Sequence, residues 1–142
     1  MTATPRLKAP PGACDTHMHF YDARYPTAPT ALSTPPDATV EAYRALQRSL
    51  GLTRTVVVQP STYGRDNRCT LQGIAALGLD VARGIAVVDA TTSDAELQEL
   101  TQGGMRGVRF HQLPGGALAW DELDGIAARV QNVGWHVQLQ FD

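Results

Sequence analysis

The chain has 142 residues, 43% hydrophobic and 18% charged, a balance that excludes disorder and suits one domain with a real core. Twelve basic residues against fourteen acidic ones give a net charge of -2, which leaves no electrostatic footprint for nucleic acid. No apolar run reaches the length of a membrane span, and Cys14 and Cys69 make no disulfide framework, so a cytoplasmic protein with free thiols is expected.

Residues 1–12 are Pro-rich and lack the apolar middle of a secretory signal; they read as a disordered leader ahead of a domain over 13–142. Ala13 to Phe20 reads as the first strand, followed by a loop in which Pro26, Pro29, Pro35 and Pro36 forbid regular structure. A helix is expected from about Val40 to Leu50, with Thr39 as N-cap and Gly51 as its stop. The β-branched run Thr55 to Gln59 is a buried strand ended by Pro60. Asp66 or Asn67 then caps a helix through Leu71, Ile74 and Leu77, and Gly84 to Asp89 is a third strand. Ser93 and Glu96 are spaced as a capping box at the head of a short helix. Gly107 to His111 is the fourth strand, Asp121 to Val133 a helix that buries Leu123, Ile126, Val130 and Val133, and His136 to Phe141 the fifth strand.

Strict alternation of strand and helix implies parallel strands with right-handed crossovers. A doubly wound sheet and a (β/α)8 barrel both meet that pattern. No Gly-rich phosphate loop follows any strand, which disfavours the doubly wound form and any nucleotide cofactor. The expected fold is an α/β, incomplete (β/α)8 TIM barrel with about five parallel strands and four helices.

Side chains two apart share a face of a strand. That groups Asp15, His17 and His19 on the first strand, Gly107, Arg109 and His111 on the fourth, and His136, Gln138 and Gln140 on the fifth. Exposure to water would account for one such strand. Three alike point to a pocket, because burying these groups unpaired costs several kcal/mol each, whereas strand ends that meet a ligand tolerate them. Two imidazoles in His17-Met18-His19 can converge on a divalent ion, with His111 as the candidate third ligand in this chain.

The segment Cys14-Asp15-Thr16-His17-Met18-His19-Phe20 resembles the opening strand of the amidohydrolase superfamily, a group of (β/α)8 hydrolases. The stretches Val57 to Asn67, Gly107 to Phe110 and Trp135 to Gln140 resemble the branch containing 2-pyrone-4,6-dicarboxylate lactonase and sugar lactonases. The resemblance implies hydrolysis of a small carboxylated lactone or a similar ester-like bond. It implies that His17 and His19 line the catalytic centre, as ligands of one zinc or manganese ion or, metal-free, as donors to the scissile carbonyl. It gives Arg109 a substrate carboxylate to grip, with a structural salt bridge as the alternative, and places Ser61, Tyr63, His111 and Gln140 around substrate. Ser61 to Tyr63 reads equally as a turn that opens a helix, and Asn67 as a helix cap. Cys14 reads as a small hydrophobe rather than a nucleophile.

A binuclear centre bridged by a carbamylated lysine is excluded, since Lys8 in the leader is the sole lysine. The family places a further histidine and a catalytic aspartate on later strands, so the sequence reads as the first part of a barrel, truncated or split and inactive alone. Self-association through open edges, or a complementing C-terminal half, is the partner expectation. The alternatives are a non-catalytic remnant or partner-binding half-barrel, and a mononuclear metal-dependent hydrolase or decarboxylase of the same superfamily. A different His-x-His phosphoesterase ranks last, because it needs more His and Asp ligands than remain.

Overall fold

Short apolar strands and amphipathic helices in strict alternation bury themselves by winding parallel, with the helices on one side of the sheet. The computed structural model describes residues 5–142 and has that form. Strands β1 (Cys14–Met18), β2 (Arg54–Val58), β3 (Ala82–Ala86), β4 (Met105–His111) and β5 (His136–Gln140) form one parallel sheet in sequential order. Helices α1 (Val40–Leu50), α2 (Arg68–Leu77), α3 (Asp94–Gln102) and α4 (Leu123–Gln131) make the crossovers. The result is a curled half-barrel of five strands and four helices, part of a TIM barrel. Of the leader expected over 1–12, residues 1–4 lie outside the described residues; 5–12 form neither helix nor strand, and Ala9 N–H donates to Leu50 O at 2.7 Å. Among the described residues no helix is long and apolar enough to cross a membrane.

Local chemistry explains the boundaries. Thr39 Oγ1 accepts Ala42 N–H at 3.2 Å to start α1, and Gly51 ends it in the left-handed region at φ 77°. Ser93 Oγ accepts Glu96 N–H at 3.1 Å to start α3, but only that half of the expected capping box forms. Asn67 sits at the head of α2 without capping it. Its amide crosses instead to the chain after β3, donating to Val87 O at 2.8 Å and accepting Val87 N–H at 3.0 Å. A primary amide presents the same donor–acceptor pair as a peptide, so it can stand in for a missing strand neighbour. A 3-10 turn, Trp120–Glu122, replaces the first turn expected of the last helix; Ile126 and Val130 are buried, while Leu123 and Val133 are only partly so.

The core lies between sheet and helices, where Val57, Met105, Val108 and Phe110 meet Ile74, Ile126 and Val130. Gly73 on α2 is required there: a Cβ would fall 2.1 Å from the Phe20 ring. Register then decides which side each strand residue faces. Asp15 pairs with Thr55 but Met18 with Val57, three steps on β1 against two on β2, so β1 carries a bulge. A one-residue slip reverses facing beyond it. Asp15 therefore joins Thr55 on the helix side, where the Tyr43 hydroxyl of α1 donates to Asp15 Oδ2 at 2.9 Å and lies 2.9 Å from Thr55 Oγ1. Burial first, then the Asp15 charge, pushes the Tyr43 phenol up to about 12, so it stays a donor. The expectation that Asp15 shares a face with His17 and His19 is corrected by this bulge.

Candidate functional site

The face of the sheet turned away from the helices holds the polar side chains. On β4 and β5 the register pairs Gly107 with His136, Arg109 with Gln138 and His111 with Gln140, so the two alternations run in step. Val108 and Phe110 take the opposite side and are fully buried. Beyond the bulge, His17 and His19 lie with ring centroids 5.0 Å apart at an interplanar angle of 87°.

His19 Nδ1 lies 2.7 Å from Val58 O. A carbonyl only accepts, so Nδ1 carries the proton and the neutral ring offers its lone pair at Nε2. Burial lowers the His19 pKa below its ordinary 6.5, and the neighbouring His17, Arg109 and His111 lower it further against the pull of the Val58 carbonyl. His17 is also lowered, first by burial and then by Arg109. Both rings are thus held toward the neutral form.

Arg109 is 6% exposed. One terminal nitrogen donates to Gln59 O at 3.2 Å, the other donates to Gln140 Oε1, and Nε–H has no partner among the described residues. Burial lowers its pKa below the ordinary arginine value, but a guanidinium keeps its charge in proteins. No salt-bridge partner accompanies it among the described residues, so the structural ion pair weighed as an alternative is absent. The buried Gln138 Oε1 is likewise unpartnered.

The loop after β2 is held by Gln59, whose amide donates to Gly64 O at 3.0 Å and Asp66 O at 2.8 Å and accepts from Thr70. Ser61 stands half-buried in the 3-10 turn Ser61–Tyr63, two residues from the carbonyl that holds Arg109. Tyr63 does not join the site. Its hydroxyl donates to Asp22 O at 3.0 Å and accepts Asp22 N–H at 2.8 Å, which commits it to the loop between β1 and α1. Residue spacing cannot show that direction, because a turn does not alternate.

Tyr21 is the site residue that sequence reasoning missed. Its ring lies edge-on to His19, centroids 6.0 Å apart, within the field of Arg109. The signal was present, since Tyr21 extends the spacing of His17 and His19 by two more residues. His136 falls elsewhere: it is exposed at the amino end of β5, its ring over Gly107.

The donor set answers the question of a metal. A catalytic zinc site takes three protein ligands, and His17 and His19 supply two. No cluster of three His, Cys, Asp or Glu occurs among the described residues, Asp15 faces the helices, and His111 turns Nδ1 to Gln140 Oε1 at 2.9 Å. With no third ligand clustered beside the His pair, the described residues by themselves do not make a metal centre.

The lowered histidines set a pH dependence. A ring that resists protonation when folded costs no stability above the unfolded pKa near 6.5, and stability is lost as pH falls through the lowered folded value. The urea midpoint is expected to hold from pH 8 to 7 and to decline toward pH 5. His19→Gln should flatten that decline; an unchanged slope would reject His19 as its source.

Comparison with known proteins places this arrangement. The family model described as Amidohydrolase matches residues 14–142. A D-galactarolactone isomerase of Agrobacterium fabrum is 39% identical over 140 residues, 97% of this chain and 48% of that protein. A 2-pyrone-4,6-dicarboxylate hydrolase of Comamonas testosteroni is 41% identical over 142 residues, 97% of this chain and 46% of that protein. The chain thus spans about half the length of the curated relatives it matches. Among solved structures, an apo protein of Agrobacterium tumefaciens superposes with a TM-score of 0.89 at 38% identity, covering 97% of this chain and 51% of that one. A probable 2-pyrone-4,6-dicarboxylic acid hydrolase from Acinetobacter baumannii, with citric acid bound, gives a TM-score of 0.79 at 31% identity, covering 89% and 48%.

Proposed function

The chain belongs to the amidohydrolase family, and on that premise we propose that it forms the carboxylate-gripping part of a site that hydrolyses small carboxylated lactones. The observation that carries this reading is Arg109, buried and charged, with its Nε–H unspent among the described residues, beside two histidines held toward the neutral form, while Asp15 is held by Tyr43 on the helix side. The unspent Nε–H and the spare hydrogens of the terminal nitrogens suit a carboxylate. The relatives support the substrate class, since their names refer to lactones or pyrone dicarboxylates and one holds citric acid.

In the proposed reaction, water adds to the lactone carbonyl and the ring C–O bond breaks. One product carries the new carboxylate and the freed hydroxyl. His19, with Nδ1–H on Val58 O, takes a proton from water at Nε2 rather than donating to the carbonyl. That leaves carbonyl polarisation to His17.

Titration of isotope-labelled chain with 2-pyrone-4,6-dicarboxylate tests the reading. The Arg109 Nε–H and His19 ring resonances are expected to move together, and no movement at millimolar ligand would overturn it. Turnover by the chain itself is expected to be slight, because among the described residues Asp15, the carboxylate whose charge reaches His17, is held on the helix side by Tyr43 and does not assist the water; rapid loss of pyrone absorbance would refute that part. A second reading, a partner-binding half-barrel, draws on Trp120, Leu139 and Phe141, which are exposed near β5, the last strand in the sheet order.

A further inference from the structure

His111 and Gln140 are opposite one another on β4 and β5, next to Arg109, and the three side chains constrain one another. Arginine can only donate, so the Gln140 group turned to it is the oxygen; the flipped amide would set donor against donor. That same oxygen lies 2.9 Å from His111 Nδ1. A lone pair at Nδ1 would face a lone pair on Oε1, so Nδ1 carries the proton and Oε1 accepts from both neighbours. The 3.3 Å approach of Arg109 to His111 Nδ1 is then mere contact. His111 is half-buried on the inner face. In its neutral form it presents Nε2 as a fixed acceptor beside the guanidinium.

A ligand that satisfies both groups has a carboxylate for Arg109 and, a short way along its backbone, a hydroxyl that donates to His111. We propose that His111 is a specificity residue that reads a ligand hydroxyl, with Gln140 as the positioning residue that fixes its tautomer. The substrate class is thereby a hydroxylated acid lactone of the sugar-acid type rather than a flat pyrone dicarboxylate, whose ring has no hydroxyl to give. This rests on the carboxylate reading of Arg109 given above.

Galactarate and adipate test it, because they share chain length and both carboxylates and differ only in hydroxyls. An unmatched hydroxyl costs desolvation, so preference for galactarate requires an acceptor in the site. At pH 8 the chain is expected to bind galactarate about fivefold or more tighter than adipate by calorimetry, from roughly one hydrogen bond. His111→Phe should remove that preference. Equal binding of the two diacids, both still shifting the Arg109 Nε–H resonance, would overturn the role of His111 and leave the carboxylate reading intact. Binding of neither would remove both.

A second measurement does not depend on ligand. Long-range imidazole nitrogen spectra should show His111 as the Nδ1–H tautomer in the native chain, mixed in Gln140→Leu and restored in Gln140→Glu. The Nε2–H tautomer in the native chain, or no change in Gln140→Leu, would reject the positioning role. His19, pinned by Val58 O, serves as the internal reference in every variant.

Discussion

Arg109→Met is expected to weaken dicarboxylate binding by about 100-fold, the largest functional effect of any single substitution in this chain. Methionine keeps much of the stem and removes the charge and every donor. Hydrogen bonds to a charged group contribute about 1.5–3 kcal/mol, so loss of the paired donors costs on the order of 3 kcal/mol. Desolvation favours the upper end, because Arg109 is 6% exposed and has no carboxylate partner among the described residues to share its charge. Arg109→Lys separates charge from shape: it keeps the former, loses the planar fork, and should recover only part of the affinity. Calorimetric titration with 2-pyrone-4,6-dicarboxylate reads both variants. A Met variant within a few-fold of native would assign the grip elsewhere.

Phe110→Ala is expected to cost about 3–5 kcal/mol of folding stability, the usual range for deleting a buried aromatic ring. Domains of this size have about 5–15 kcal/mol in total, so the loss takes a large part of the margin. Phe110 is 0% exposed, stands between two inner-face residues, Arg109 and His111, and packs into the layer under the helices. The cavity left would therefore loosen the strand that aims the guanidinium. Urea unfolding monitored by far-ultraviolet circular dichroism gives the value, and a loss under about 1 kcal/mol would mean that the site collapses around the vacancy. Because Phe110 does not touch the hollow, ligand affinity of the folded fraction should fall far less than in Arg109→Met.

The sequence made the strands and their order legible wherever burial enforces a pattern. Val108 and Phe110 alternate with Arg109 and His111 because helices cover one side of β4, and partly buried Val137 carries that side onto β5, whereas Leu139 beyond it is exposed. Thr39, Gly51 and Ser93 marked helix ends because each has a local chemical role there. What escaped were features set by distant partners. Asn67 has the composition and position of a cap, yet its amide is drawn to the Val87 peptide group just past the end of β3. Tyr63 lies in a turn whose sequence is compatible with facing substrate, but the backbone of Asp22 takes its hydroxyl. Tyr21 lies past the end of the strand, where alternation no longer marks a face, yet its ring continues beside His19.

The extra residue in β1 makes one short strand serve two layers at once. Its acid is anchored backward, to a phenol on a helix, while its imidazoles look forward. The aim of those imidazoles is consequently governed from behind the sheet. Tyr43 meets no reactant, yet slackening its hold on Asp15 would let the pair swing, so sensitivity to mutation in this protein need not fade with distance from the chemistry.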